Sequence, residues 1–137
     1  MSRVIFASHG GLSKGMKDSV SMIVGDLAKD VETYSLLPGQ NPEDYYLELL
    51  KEAKESEEQI VILCDIKGGS VHTALSKLAV LDNVLVFSGM NMGLVLDAVM
   101  KGLNGKLELA EANDLIEAAK DGMTVMSGMT SEDDEDF

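Results

Sequence analysis

Apolar positions fall into two alternating kinds of segment along the chain. Residues 3–8, RVIFAS, are a short apolar run of strand length, and Leu12, Met16, Val20, Ile23, Val24 and Leu27 then recur at helical spacing. Residues 31–37 alternate as a second strand would. Pro38-Gly39 breaks the chain, and Asn41-Pro42 reads as an N-cap followed by proline at the first helical position. The helix it opens runs to about residue 57, with Tyr46, Leu50 and Ala53 on its apolar side. Residues 59–65, QIVILCD, are apolar almost throughout, as expected of a strand covered on both faces. Val71, Ala74, Leu75, Leu78 and Ala79 mark a third helix, residues 83–88 a fourth strand, and Met92, Val95, Leu96, Val99, Met100 and Leu103 a fourth helix. A fifth helix covers about residues 110–121, and residues 123–127 read as a final short strand.

Strands alternating with helices build βαβ units, a parallel sheet and right-handed crossovers, so the expected class is α/β. A doubly wound sheet of this size commonly takes the strand order 2-1-3-4. In that order the first and third strands are neighbours, and their carboxyl ends flank the crevice where such sheets bind ligands. One of those ends carries His9 and the other Asp65.

Composition narrows the partners. The chain has 137 residues, enough for one domain with a continuous core, and 45% of them are hydrophobic. Net charge is −13, of which Glu132, Asp133, Asp134, Glu135 and Asp136 supply −5. The remaining −8 argues against sequence-independent binding to nucleic acid. The expected organisation is a domain over residues 1–129 and an acidic disordered tail over 130–137. No apolar run reaches the roughly 20 residues that span a bilayer, and the first residues lack the pattern of a signal peptide. A cytoplasmic location is expected, and the single cysteine, Cys64, fits it.

Candidate chemistry centres on the stretch SHGG at residues 8–11. Imidazole is a good nucleophile near neutral pH when one nitrogen is unprotonated. A carboxylate that accepts a hydrogen bond from Nδ1–H fixes the tautomer and aims Nε2 outward. His9 and Asp65 are therefore a candidate nucleophile and its orienting acid; a loop histidine beside an unrelated acid is the plainer alternative. Gly68-Gly69-Ser70 reads in two ways, as backbone donors for an anion or as a tight turn with Ser70 as N-cap. Gly10-Gly11 has the same two readings. His72 is expected on the polar side of the third helix, solvated, with no third ligand in view for a metal. Cys64 should point to the face opposite Asp65, buried and inert. Met90 and Met92 around Asn91 follow the fourth strand and are candidates for the crevice mouth, with Lys67 on its rim.

Four motifs in order carry a family resemblance: Ser-His-Gly closing the first strand, Leu-Pro-Gly-Gln-Asn at 37–41, Asp-x-x-Gly-Gly-Ser at 65–70 and Gly-Met-Asn-Met at 89–92. Together they resemble the mannose-class IIA domain of the bacterial phosphoenolpyruvate-dependent sugar phosphotransferase system, over residues 1–127. The resemblance implies a phosphotransferase component that needs no cofactor or metal. His9 would accept a phosphoryl group on Nε2 from the phosphocarrier HPr and pass it to a histidine of a IIB domain during sugar uptake. Asp65 would hold Nδ1–H, while Ser70, with donors near Gly10 and Gly69, would hold the phosphoryl oxygens. It also implies a homodimer made by exchange of a C-terminal strand, here residues 123–127, and a IIA acting as a separate polypeptide. Lys67 and Gly11 depart from the family pattern beside the site, where they bear on partner and sugar choice. The nearest alternative is the related phosphoryl-donor subunit of dihydroxyacetone kinase. An alternative of another class is a ligand-binding or regulatory module whose His9 is never phosphorylated.

Overall fold

The computed structural model describes residues 2–128. Four strands, β1 (Ser2–His9), β2 (Glu32–Leu36), β3 (Gln59–Cys64) and β4 (Val84–Phe87), form one parallel sheet in the order β2-β1-β3-β4. The α/β class and the 2-1-3-4 order expected from the sequence are both present. Strand alternation sorts the sheet's side chains between two cores. Val4, Phe6, Val61, Leu63 and Phe87 face α1 (Leu12–Val24), α4 (Met92–Leu103) and α5 (Leu109–Asp121). Ile5, Ala7, Ile60, Ile62, Cys64 and Val84 face α2 (Pro42–Glu55) and α3 (Ser70–Leu75). Every residue of β3 is buried, which explains its unbroken apolar run.

Several element ends are set by single residues. Asn41 caps α2, its Oδ1 accepting from the Glu43 N–H at 3.0 Å, with Pro42 in the first turn. Asn91 caps α4 in the same way through the Leu94 N–H at 2.9 Å. Helix α1 ends at Val24 because Gly25 takes a positive φ of 60°, and the chain continues as a 3-10 turn over Gly25–Ala28. Leu27, beyond this break, is exposed and Ala28 is buried instead; Ile23, also expected on the buried stripe, is exposed within the last turn of α1. In α2 the pair turned onto the sheet is Leu49 and Ala53, four residues apart, while Leu50 is only partly covered. The third helix is shorter than its apolar pattern predicts: α3 stops at Leu75 and a 3-10 turn, Ser76–Val80, carries Leu78 into the core.

Residues 123–127 are not a strand here, a departure from expectation. They follow α5 as irregular chain with Met123, Val125 and Met126 exposed. The acidic tail at 130–137 lies outside the described residues.

At the end of the sheet remote from the strands' carboxyl termini, Gln59 holds three elements together. Its Oε1 accepts from Ser2 Oγ (2.7 Å) and from the Leu107 N–H (2.8 Å), and its Nε2 donates to the Leu107 carbonyl (2.8 Å), all out of water. Gln59→Leu would leave both backbone groups of Leu107 buried without partners, so a loss of about 2–4 kcal/mol is expected. Urea unfolding of the variant, with an unchanged slope and a lowered midpoint, is the measurement that checks it.

Candidate functional site

The carboxyl ends of β1 and β3 lie side by side, and the parallel register that pairs Ala7 with Cys64 brings the next residues together. The Asp65 N–H donates to the Ala7 carbonyl at 3.2 Å, which extends the ladder one step beyond β3. Asp65 then turns its carboxylate back across the gap. Its Oδ2 accepts from both the backbone N–H of His9 (2.8 Å) and the imidazole Nδ1 (2.7 Å), while Oδ1 accepts from the Ile66 N–H (2.9 Å). Burial of Asp65 raises its pKa, but these three donations outweigh it and hold the carboxyl below its usual range. Asp65 is therefore an acceptor, and the proton between the two side chains belongs to Nδ1.

That assignment fixes the other nitrogen. In the neutral ring with its proton on Nδ1, Nε2 carries the lone pair and can accept from the Ser70 hydroxyl at 3.0 Å. The Asp65 side chain is 8% exposed and the His9 side chain 48%, so the acid is enclosed and the imidazole reaches solvent. The arrangement is an imidazole oriented by a buried carboxylate behind it, and in its neutral form the lone pair lies on Nε2, on the Ser70 side. Such a group is a nucleophile.

Two hinges shape the loops that carry these groups. Gly10 has a positive φ of 55°, which turns the chain from β1 into α1. The Ile66–Gly69 segment is closed by the Gly69 N–H donating to the Ile66 carbonyl (3.2 Å), with Gly68 at φ 79° in the position where a type II turn demands it. Gly69 is needed for closeness. A Cβ there would lie 2.7 Å from Ile66 Cγ2 and 3.2 Å from His9 Cε1, so only glycine lets this turn rest against the imidazole.

The remaining expectations separate. The N–H groups of Gly10 and Gly69, expected as donors to a phosphoryl group, are already given to the carbonyls of Leu36 (2.8 Å) and Ile66. Their contribution is shape. Ser70 is not the N-cap either: Gly69 occupies that position without a side-chain cap, and the Ser70 hydroxyl goes to His9. Met90 is a core residue, Asn91 is the cap of α4, and Met92 packs partly against the core, so this trio has structural work that its position after β4 did not disclose. Lys67 is exposed and faces a groove shared with β4 and α5, whose lining includes Phe87, Ile116 and Lys120. Cys64 is fully buried on the α2/α3 face, and burial, with Asp65 adjacent, pushes its thiol up to about 12. Among the described residues no three potential ligands gather to hold a metal ion.

Sequence reasoning passed over two serines that hold the His9 loop from below. Ser8 Oγ accepts from the Ser13 N–H (2.8 Å) and donates to the Gly10 carbonyl (3.2 Å). Ser13 Oγ in turn donates to the Tyr34 carbonyl (2.9 Å), tying the start of α1 to β2. Both serines are wholly buried. The signal was present, since a serine closing the apolar run RVIFAS must satisfy its hydroxyl locally.

The family model described as the PTS system fructose IIA component matches residues 3–120. The chain belongs to the mannose-class IIA family of the sugar phosphotransferase system. It is 34% identical over 101 residues to the sorbose-specific EIIA component of Klebsiella pneumoniae, which covers 72% of this chain and 73% of that one. The mannose/sorbose-specific IIA subunit from Enterococcus faecalis superposes with a TM-score of 0.78 at 21% identity, covering 95% of this chain and 98% of the other. A IIA protein associated with the fucose utilization operon of Streptococcus pneumoniae gives a TM-score of 0.72 at 27% identity, covering 91% and 96%. Membership makes the chain a phosphoryl-carrying component of sugar uptake. No described helix of this IIA domain is long and apolar enough to cross a membrane.

Because the folded pKa of Asp65 is depressed, its contribution to stability is full above the ordinary carboxylate value of about 3.9 and disappears as pH falls through the lower folded value. Asp65→Asn has no such contribution to lose. The stability difference between wild type and variant should therefore shrink between pH 5 and pH 2, which urea unfolding across that range would measure.

Proposed function

We propose that His9 is the phosphoryl-carrying residue of this IIA domain, charged by phospho-HPr and discharged to a IIB domain. The observation that carries the reading is the pairing of an Nδ1 held by Asp65 at 2.7 Å with an Nε2 that meets a rotatable serine hydroxyl on a half-exposed ring. In the first step that lone pair forms a bond to phosphorus while the N–P bond of the donor's phosphohistidine breaks, its electron pair staying on the donor nitrogen. The second step is the same exchange run toward a nitrogen of the IIB domain. Both pass through a loose transition state that depends on in-line positioning and charge stabilisation.

Each neighbour has a part in that exchange. As Nε2 bonds to phosphorus the ring gains positive character, and the buried Asp65 carboxylate stabilises it without taking the proton. The Ser70 hydroxyl, which donates to Nε2 in the resting state, turns its hydrogen to a phosphoryl oxygen. Gly69 keeps the wall beside the imidazole low enough to admit the group. Gly10 sets the turn that presents His9 at the end of β1. Lys67 is a rim residue for partners. The IIA reading outweighs that of a kinase phosphoryl-donor subunit because the family match and the sorbose-specific relative both belong to the sugar system.

The functional unit in this proposal is a homodimer. β4 is an edge strand, and the exposed Met123, Val125 and Met126 follow α5 as a segment of strand-like composition. Exchange of residues 123–127 between two copies would cover an open edge of each sheet.

Two experiments test the proposal. After incubation with phosphoenolpyruvate, enzyme I and HPr, intact-mass spectrometry should find one acid-labile phosphoryl group on wild type and none on His9→Ala; labelling of the variant would move the carrier residue elsewhere. A chain ending at Gly122 should sediment as a monomer where the full chain sediments as a dimer. Equal sedimentation of the two would remove strand exchange from the proposal.

A further inference from the structure

The second histidine is partly solvated, and one of its ring nitrogens is engaged. His72 lies in the first turn of α3, half-buried, and its Nδ1 receives the N–H of Gly68 at 3.1 Å. A backbone N–H can only donate, so Nδ1 must hold a lone pair, and in the neutral ring the proton sits on Nε2. In the type II turn that leads from Asp65 to α3, the Gly68 N–H belongs to the third residue, which the turn's own hydrogen bond does not use. His72 takes that orphan donor. Thr73 secures the same residue from the other side, its Oγ1 donating to the Gly68 carbonyl at 3.3 Å.

What this turn carries is the face of the site opposite Asp65. Gly69 lies against the imidazole of His9, and Ser70 places its hydroxyl 3.0 Å from Nε2. A turn of four residues with two glycines is intrinsically loose, since each glycine has a wide choice of backbone angles. The Gly68–His72 bond removes that freedom at the residue just before the two that touch the ring.

We propose that His72 is a positioning residue for phosphoryl transfer: its Nδ1 clamps the Ile66–Gly69 turn and thereby sets Gly69 and Ser70 against the reacting nitrogen of His9. The inference rests on His9 being the carrier, and it deepens that reading by adding a residue that never touches the phosphoryl group. The bond is neutral and partly exposed, so its effect on transfer should be modest, about five- to tenfold in rate. It should fall on the transfer step and leave the affinity for the donor unchanged.

Two substitutions separate positioning from packing. His72→Phe keeps a ring of similar size and deletes the acceptor. His72→Asn loses the ring, yet its Oδ1 occupies nearly the place of the histidine Nδ1 and can accept from Gly68. The measurements are the single-turnover rate of phosphoryl transfer from phospho-HPr at several donor concentrations and the hydrogen-exchange rate of the Gly68 amide. The expected result is a five- to tenfold slower maximal rate in His72→Phe with an unchanged half-saturating donor concentration, a faster-exchanging Gly68 amide, and recovery of both to within about twofold of wild type in His72→Asn.

A wild-type rate in His72→Phe would overturn the proposal. So would an equal loss in both variants, because a purely packing role follows the ring and not the acceptor. Absence of phosphoryl transfer in wild type would instead overturn the carrier reading of His9. In that case the Gly68 amide still decides the clamp: exchange unchanged in His72→Phe removes it, and faster exchange rescued by His72→Asn retains it.

Discussion

The contact between Asp65 and His9 is the point on which the functional end of the molecule depends. One carboxylate oxygen receives both the backbone and the side chain of His9, and the other receives the amide that begins the next turn. The carboxylate thus joins the ends of two strands, selects a tautomer and starts the loop that returns to cover the ring. It can do so only because β1 and β3 are neighbours, and they are neighbours because the chain winds outward from them in opposite directions. A sheet in simple sequential order would put β2 between the two residues. Topology supplies the proximity here, and hydrogen bonding converts it into a defined nucleophile.

The loops on either side of that contact solve the same problem by different means. The His9 side has a glycine turn braced from below by the buried hydroxyls of Ser8 and Ser13, so the loop is anchored to β2 and α1. The Asp65 side has a glycine turn braced from within α3 by His72 and Thr73. Glycine is required at both places for backbone angle or close approach, and glycine alone would leave both loops mobile. Polar side chains restore the definition that the glycines remove. Preorganisation of this kind suits a transfer that depends on alignment more than on covalent assistance.

Much of this was legible in the sequence. The apolar run of β3, the cap at Asn41 and the alternation of periods led to the class; the strand order came from what doubly wound sheets of this size commonly adopt, and it placed His9 against Asp65. What failed to show has definite physical causes. Helical spacing marked Ile23 and Leu27 as buried, but Ile23 lies on the outer side of the last turn of α1, and the positive φ at Gly25 ends the helix before Leu27 and breaks its spacing. The apolar pattern after Ser70 is shared by a short α-helix and a 3-10 turn, which bury similar positions. Composition at 123–127 suits a strand, yet composition does not place a sheet edge beside the segment, which is irregular here. Ser70 and Asn91 show the remaining difficulty. Each residue type is a good N-cap, and only Asn91 is used as one, because Ser70 sits one residue inside its helix with His9 in reach.

The two histidines of the chain carry opposite hydrogen-bond assignments, and this explains why one suits phosphoryl chemistry and the other does not. In His9 a carboxylate accepts the hydrogen bond of Nδ1–H, so in the neutral ring Nε2 has the lone pair, and it meets a serine hydroxyl that can rotate away. In His72 an amide fills the lone pair of Nδ1, which puts the proton of the neutral ring on Nε2 and leaves no free pair for attack. Releasing His72 for nucleophilic work would mean breaking the turn that supports His9. The same side-chain type is thus suited to nucleophilic attack at one position and is a hydrogen-bond acceptor at the other. The group each Nδ1 meets, an anion in one case and a backbone N–H in the other, determines which.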